Sequence, residues 1–233
     1  MIKLEYTSVM NLDNALRGMR NPMQSWDKSD SYWSCSDCEC QTRCAENCAT
    51  CEFCRIESVY EVGPNDMDLA RRLVSAGGDH RKFLRQIFVS VDVTAPLYWW
   101  KEYDTYKVGT VANSCSTMHK IHAKPFERDD FSCDRMSDVA LTCLDQVIEV
   151  LEERRLKYIE TKDTAYWHDM IQLLPTSYNQ MRTCTLNYEN LINIYFARRY
   201  HKLDEWREFC GWVEGLPYFR EICIESRERK EEE

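Results

Sequence analysis

The sequence predicts an α+β protein in which helices outnumber strands, and three observations carry that prediction. Residues 88–93, FVSVDV, alternate valine with polar or small residues at the two-residue period of a half-buried strand. Residues 137–162, SDVALTCLDQVIEVLEERRLKYIETK, place Val139, Leu144, Val147, Leu151 and Tyr158 at helical spacing. Only 7 glycines and 6 prolines in 233 residues leave little room for long flexible linkers.

The elements follow in order. IKLEYTSV reads as a first strand, and NLDNALRGMR as a helix with Asn11 as its cap. NPMQSWDKSDSYW breaks that pattern. Residues 31–62 form a cysteine-rich insertion, a hairpin or knuckle. PNDMDLARRLVSAGG is a helix capped by Asn65 and stopped by Gly77 and Gly78. HRKFLRQI is helical and leads into the FVSVDV strand. Pro96 fits the first turn of a new helix, where a missing N–H costs nothing, and this helix is expected to reach Lys107 before Gly109 ends it. VANSCSTMHK reads as a loop and FERDDFSCD as a turn. AYWHDMIQLL is a helix stopped by Pro175; the threonines of TSYNQMRTCTLN lean it towards a strand. NYENLINIYFARRYH and LDEWREFCGWVEGL are the last two helices, and ESRERKEEE reads as a solvated or frayed helix end. The expected organisation is one domain over residues 1–220, holding the insertion at 31–62, with a charged tail at 221–233.

A net charge of −9 argues against a nucleic-acid partner, because phosphate backbones select basic faces. The apolar runs are too short to span a bilayer. MIKLEYTSVM has no apolar core of a signal peptide, so a cytoplasmic protein without a membrane partner is expected.

Seven of the 13 cysteines fall between Cys35 and Cys54. Cys35-x2-Cys38 and Cys51-x2-Cys54 have the spacing of two zinc knuckles, which set four thiolates tetrahedrally around the metal. An iron–sulfur cluster and a reduced, metal-free insertion are the alternatives. His119 and His122 lie three residues apart beside Ser116, with Cys115 as the main further ligand nearby; a hydrogen-bonding or exposed role suits them better than a metal. His168 falls in an amphipathic helix and reads as structural. Cys115 is a loop cysteine with no neighbour in sequence that would activate it as a nucleophile. No G-x-S-x-G, P-loop or G-x-G-x-x-G motif occurs.

Two blocks of sequence together resemble the flavin-dependent thymidylate synthases, the ThyX family. The C-terminal block, QLLPTSYNQMRTCTLNYENLINIYFARRYHKLDEWREF, matches the family's Leu-Pro, strand, Asn-rich helix ending in arginine, and Glu-hydrophobe-Arg. Its matching residues are Leu174-Pro175, Asn187, Asn193, Arg198 and Glu205-Trp206-Arg207. The block from Ala95-Pro96 onward is similar to the segment that carries the family's R-H-R-x-x-S-x-N-x-x-S-x-R-Y motif. Thr105-Tyr106-Lys107 stand where Arg-His-Arg belongs, Thr110 for the first serine, and Asn113, Ser116 and His119 for the Asn, Ser and Tyr. His80 in GGDHRKFLRQIF and Arg20 in NALRGMR match further family positions. Where the family carries other arginines, this chain has Ile171, Glu189 and Met118.

The resemblance implies a ThyX-like α+β fold with helices around a small antiparallel sheet, assembled as a homotetramer. It implies methylation of dUMP to dTMP, with methylenetetrahydrofolate as carbon donor, FAD as cofactor and NADPH as reductant. A catalytically silent nucleotide-binding relative is the alternative. It assigns FAD contacts to His80, Thr105, Tyr106, Lys107, Asn113, Asn187 and Asn193, and dUMP contacts to Glu102, Ser116 and Arg198. An acidic chain binding three anionic ligands needs a focused basic cleft, for which Lys107, Arg198, Arg199, Arg182 and Arg20 are the candidate cations. Helix capping is the competing role for Asn187, and a small anion nest the expected one for Ser116. Trp99, Tyr103 and Tyr106 recur at i, i+4, i+7 and form one stripe, either core or the wall of a flavin pocket.

Overall fold

The computed structural model describes residues 2–35 and 58–232. The chain divides into two compact units. One comprises Met1–Ser8, Ser90–Thr185 and Ala197–Trp212; the other comprises Val9–Val89, Leu186–Phe196 and Val213–Glu233.

In the first unit the main sheet has the order β1-β4-β6-β5, with β1 Lys3–Met10, β4 Phe88–Pro96, β6 Asn179–Asn187 and β5 Val111–Ser114. In β4 the predicted alternation is realised: Val89, Val91 and Val93 are buried. β5 pairs antiparallel with β6 in the register Val111↔Thr185 to Ser114↔Arg182. This corrects the loop expected for VANS. All four residues are exposed, so no alternation marks them, and the ladder to β6 rather than burial makes the strand.

Pro96 closes β4 with extended backbone (φ −68°, ψ 151°) instead of opening a helix. The helix α3, Leu97–Tyr103, starts one residue later. Its first free N–H groups, on Leu97 and Tyr98, donate to the carbonyls of Tyr178 and Thr176 at 3.0 Å each. It stops four residues before Lys107, where the Thr105 hydroxyl donates to the Glu102 carbonyl at 2.7 Å and the chain turns. Trp99 and Tyr103 are therefore core, their rings stacked at 5.1 Å, and Trp99 also packs on Trp206 at 4.6 Å. Tyr106 lies beyond the helix.

A second cluster in this unit surrounds α4, Asp138–Thr161, and α5, Thr164–Leu173. Leu144 and Leu151 pack with Ile121, Phe126, Phe131 and Met170. Val139, expected on the apolar face, is 82% exposed, because it sits in the first turn before the packed part of the helix begins. Ser137 caps α4 and Asp163 caps α5, each side chain accepting from a first-turn N–H.

The second unit contains α1, Leu12–Gly18, the β2–β3 hairpin of Tyr32–Cys35 and Ser58–Glu61, and α2, Pro64–Ala76. It also contains most of α6, Tyr188–Arg198. Asn11 stands at the N-cap of α1, but its side chain donates to Gln86 O instead of capping. The N-cap of α2 is Gly63 with Pro64 in the first turn, not Asn65. The Asp30 carboxylate takes over the capping, accepting from Asn65 N and Asp66 N at 2.9 and 3.1 Å. Sequence offers no local sign of a cap arriving from 35 residues away. Gly77, at φ 108°, ends α2 as expected. HRKFLRQI forms a short 3-10 turn at Lys82–Gln86.

After α7, Asp204–Glu214, the chain continues through a π turn at Arg220–Ile224 into α8, Glu225–Glu232. The charged end is thus anchored by Ile222, Cys223 and Ile224, all buried. In the same unit, Tyr188 donates to Pro217 O at 2.7 Å and its ring meets Phe219 at 5.1 Å. Among the described residues no helix is long and apolar enough to cross a membrane.

Candidate functional site

The chain end of α3 and the C-terminus of α6 supply one cluster in the first unit. Arg198 Nη1 meets Glu102 Oε1 at 2.5 Å, and its Nε donates to the Tyr106 hydroxyl at 2.8 Å. The guanidinium also lies over the Trp206 ring, 5.2 Å from its centre. Trp206, fully buried in α7, donates its indole N–H to Glu102 Oε2 at 2.6 Å, and His201 Nε2 lies 3.6 Å from Glu102 Oε1. Tyr106 meets Trp206 edge-on at 6.1 Å. Two of the residues singled out in the sequence, Glu102 and Tyr106, therefore each contact a third, Arg198, although 92 positions separate Tyr106 from Arg198. The motif itself did not reveal His201, which joins through the spacer after the helix. Lys107 and Thr105, adjacent in sequence, are exposed.

Ser116 borders a cavity of about 620 Å³ in the same unit, lined also by Lys3, Lys124, Asp130, Ser132, Tyr178 and Gln180. The Ser116 hydroxyl accepts from the backbone N–H groups of Met118 and His119 at 3.3 and 2.9 Å. The donors of the expected anion nest are thus folded back onto the serine. Lys124 is paired with Asp130; burial works to lower its pKa, but the Asp130 carboxylate outweighs it and the net shift is upward. Burial, reinforced by a hydrogen bond to Glu205, pushes the Tyr98 phenol upward. Asn113, in β5, is exposed.

In the second unit, His80 is exposed, and its neighbour Arg81 forms a fork with Glu189: Nε and Nη2 each lie 2.9 Å from a carboxylate oxygen. Arg81 Nη2 also donates to Asn193 Oδ1 at 3.2 Å. The resemblance to the family marked His80 and Asn193 but not Arg81, whose only signal was the acidic Glu189 at an arginine position. Asn187 and Asn190 cap the start of α6 reciprocally: Asn190 N donates to Asn187 Oδ1 at 3.0 Å, and Asn187 N to Asn190 Oδ1 at 3.2 Å. Replacing Asn187 with serine, which also caps, should change stability by less than about 1 kcal/mol, whereas alanine should cost about 1–2 kcal/mol. Chemical denaturation of both variants measures this. A loss of flavin affinity in the serine variant would then report ligand contact rather than capping.

Two candidate cations are committed elsewhere. Arg20 is buried against Asp66, and Arg182 pairs with Asp104 at 2.8 Å while lying 4.1 Å above the Trp100 ring. His122 packs edge-on against Tyr158 at 4.9 Å. Burial raises the Cys184 and Cys223 thiols, which makes them poor nucleophiles. Of the knuckle cysteines, Cys38, Cys51 and Cys54 lie outside the described residues, and Cys35 ends β2, its backbone paired with Ser58. Among the described residues no group of three His, Cys, Asp or Glu side chains is placed to hold a metal ion.

No family model matches the sequence, and a search by sequence finds no significant match among characterised proteins. Solved structures do match. Thymidylate synthase X (ThyX) from Helicobacter pylori, crystallised with FAD and dUMP, is 15% identical with a TM-score of 0.63, over 97% of this chain and 99% of its own. The UMP/dUMP methylase PolB from Streptomyces cacaoi, bound with 5-Br dUMP, is 13% identical with a TM-score of 0.57, over 98% and 94% of the two chains. At these identities the likeness speaks to architecture: the chain has a ThyX-like fold, mixed helix and sheet over nearly its whole length.

Proposed function

We propose that the protein is a divergent ThyX-like enzyme that binds dUMP and FAD and methylates the uracil ring. Methylenetetrahydrofolate would donate the carbon and NADPH the reducing equivalents, in a homotetramer. The observation that carries this reading is the convergence of Glu102, Tyr106 and Arg198 in a fold shared with two proteins crystallised with uracil nucleotides. Glu102 and Tyr106 fix two edges of the Arg198 guanidinium, so its remaining N–H donors are held in a set plane. That arrangement suits the phosphate or a carbonyl of a uracil nucleotide. Trp206 beneath the guanidinium keeps water off one face of the ion pair and strengthens it.

The donor set suits a flavin nucleotide in kind. In the first unit, Lys107 and Asn113 are exposed and make no side-chain hydrogen bond among the described residues, leaving donors free for ring carbonyls and a pyrophosphate. Asn187 fits less well, because its amide oxygen already caps α6. Bound flavin would supply the hydride chemistry.

A second reading, a silent nucleotide binder, is favoured by one specific feature. Arg198, Arg182 and Arg81 already carry the carboxylates Glu102, Asp104 and Glu189, which offsets their attraction for an anion. Visible absorbance of the purified protein, a thermal-shift series with FAD, dUMP and UMP, and tritium release from labelled dUMP separate the two. Flavin uptake with tritium release is expected of the enzyme. Stabilisation by dUMP without flavin uptake supports the silent binder, and no response to any of these ligands overturns both.

A further inference from the structure

We propose that the second unit carries an anion site for a small phosphate-bearing molecule in the groove between α2 and α8. The open groove has a volume of about 660 Å³, within the range of small-molecule sites. One face of α2 lines it at helical spacing, from Met67 and Asp68 through Arg71 and Arg72 to Ser75 and Ala76. The facing wall is Ser226, Arg229 and Lys230 of α8. Four cations thus surround the groove, against Asp68 in its wall and Glu225 beside it.

The pairings leave donors available. Arg71 uses Nε on Glu221 O and Nη2 on Glu225, both at 3.0 Å. Arg72 meets Asp68 at 2.9 Å with its side chain 68% exposed. The Lys230 ammonium has no partner among the described residues. Each guanidinium has five N–H donors, so Arg71 and Arg72 keep N–H groups for a tetrahedral oxyanion.

The independent sign of a ligand is Ser226. It is 1% exposed, it lines the groove, and its hydroxyl has no hydrogen-bond partner, while its carbonyl accepts from Ser75 at 2.9 Å. A buried hydroxyl without a partner is unfavourable, and a phosphate oxygen would satisfy it once a small shift of α8 opened the hydroxyl to the groove. The acidic chain as a whole selects a small anion over a polynucleotide. Met67 and Ala76 offer an apolar surface for the rest of such a molecule. The site lies within one unit and does not depend on the nucleotide reading above.

Calorimetric titration of the full chain with inorganic phosphate and pyrophosphate, at constant ionic strength, tests the proposal. Pyrophosphate is expected to bind, about tenfold more weakly to the R72Q/K230Q double variant. Ser226→Ala should also weaken binding while leaving the melting temperature of the unliganded protein unchanged or higher, since it removes an unsatisfied group. A merely structural serine would not give that combination. Absence of binding to the unmodified chain overturns the proposal. So does equal affinity in all three proteins, or binding that dUMP displaces.

Discussion

Replacing Arg20 with methionine should destabilise the protein by about 3–5 kcal/mol, because it leaves a buried carboxylate without its counter-charge. The side chains of Arg20 and Asp66 are 4% and 1% exposed and meet at 2.5 Å. Asp66 also accepts from the hydroxyls of Ser29 and Ser31 and from the backbone N–H groups of Asp30 and Ser31. It therefore ties the segment before β2 to α2. Burial alone would raise the Asp66 pKa, but hydrogen bonds from Ser31, Ser29 and Arg20 outweigh it and hold the carboxyl below its usual value of 3.8. A depressed carboxylate contributes its full stabilisation above the unfolded pKa and loses it as pH falls through the folded one. Acid unfolding should consequently begin at higher pH in Arg20→Met than in the unmodified chain. Denaturant titrations from neutral pH to below pH 4 measure both effects. A variant of unchanged stability that only lost affinity for an anion would instead make Arg20 a binding residue.

Trp206→Ala should cost a further class of stability, about 3–5 kcal/mol, or roughly 10 °C in melting temperature for a chain of this size. Trp206 is fully buried and packs against Trp99 at 4.6 Å and Phe209 at 5.8 Å. It is also the surface over which Arg198 lies and the donor to Glu102. Trp206→Phe separates these roles. The ring largely refills the core, so most of the stability should return, while Glu102 loses one donor and Arg198 a better cation–π partner. Calorimetry of the two variants, with a thermal-shift titration of dUMP on Trp206→Phe, reads the packing and site contributions apart. If the phenylalanine variant melts as low as the alanine one, the indole N–H bond to Glu102 rather than the ring volume dominates.

Elements with a strong internal period were legible: β4 from its alternating valines, and α4 from Leu144, Val147 and Leu151. The C-terminal block announced β6 and α6 by its turn from threonine-rich strand to helix. Elements held by distant partners were not. β5 exists because β6 pairs with it, α2 is capped by Asp30, and α3 ends where the Thr105 hydroxyl folds back on Glu102. The site divided along the same line. Resemblance to the ThyX family picked out Glu102, Tyr106, Asn193 and Arg198 one by one. Nothing in their spacing said that Glu102 would neutralise Arg198, that Arg81 would fork onto Glu189, or that Ser116 would consume its own nest.

Local chemistry, read along the chain, marked the strongly periodic helices and strands, and the resemblance singled out the residues expected at an anion- and amide-binding surface. Periodicity and propensity act over a few residues and leave their mark in sequence. Tertiary structure alone decided which charges meet, which cations remain available and which aromatic residues are core. Ion pairing and burial depend on separation in space, and residues 92 positions apart become neighbours only when the fold brings them together.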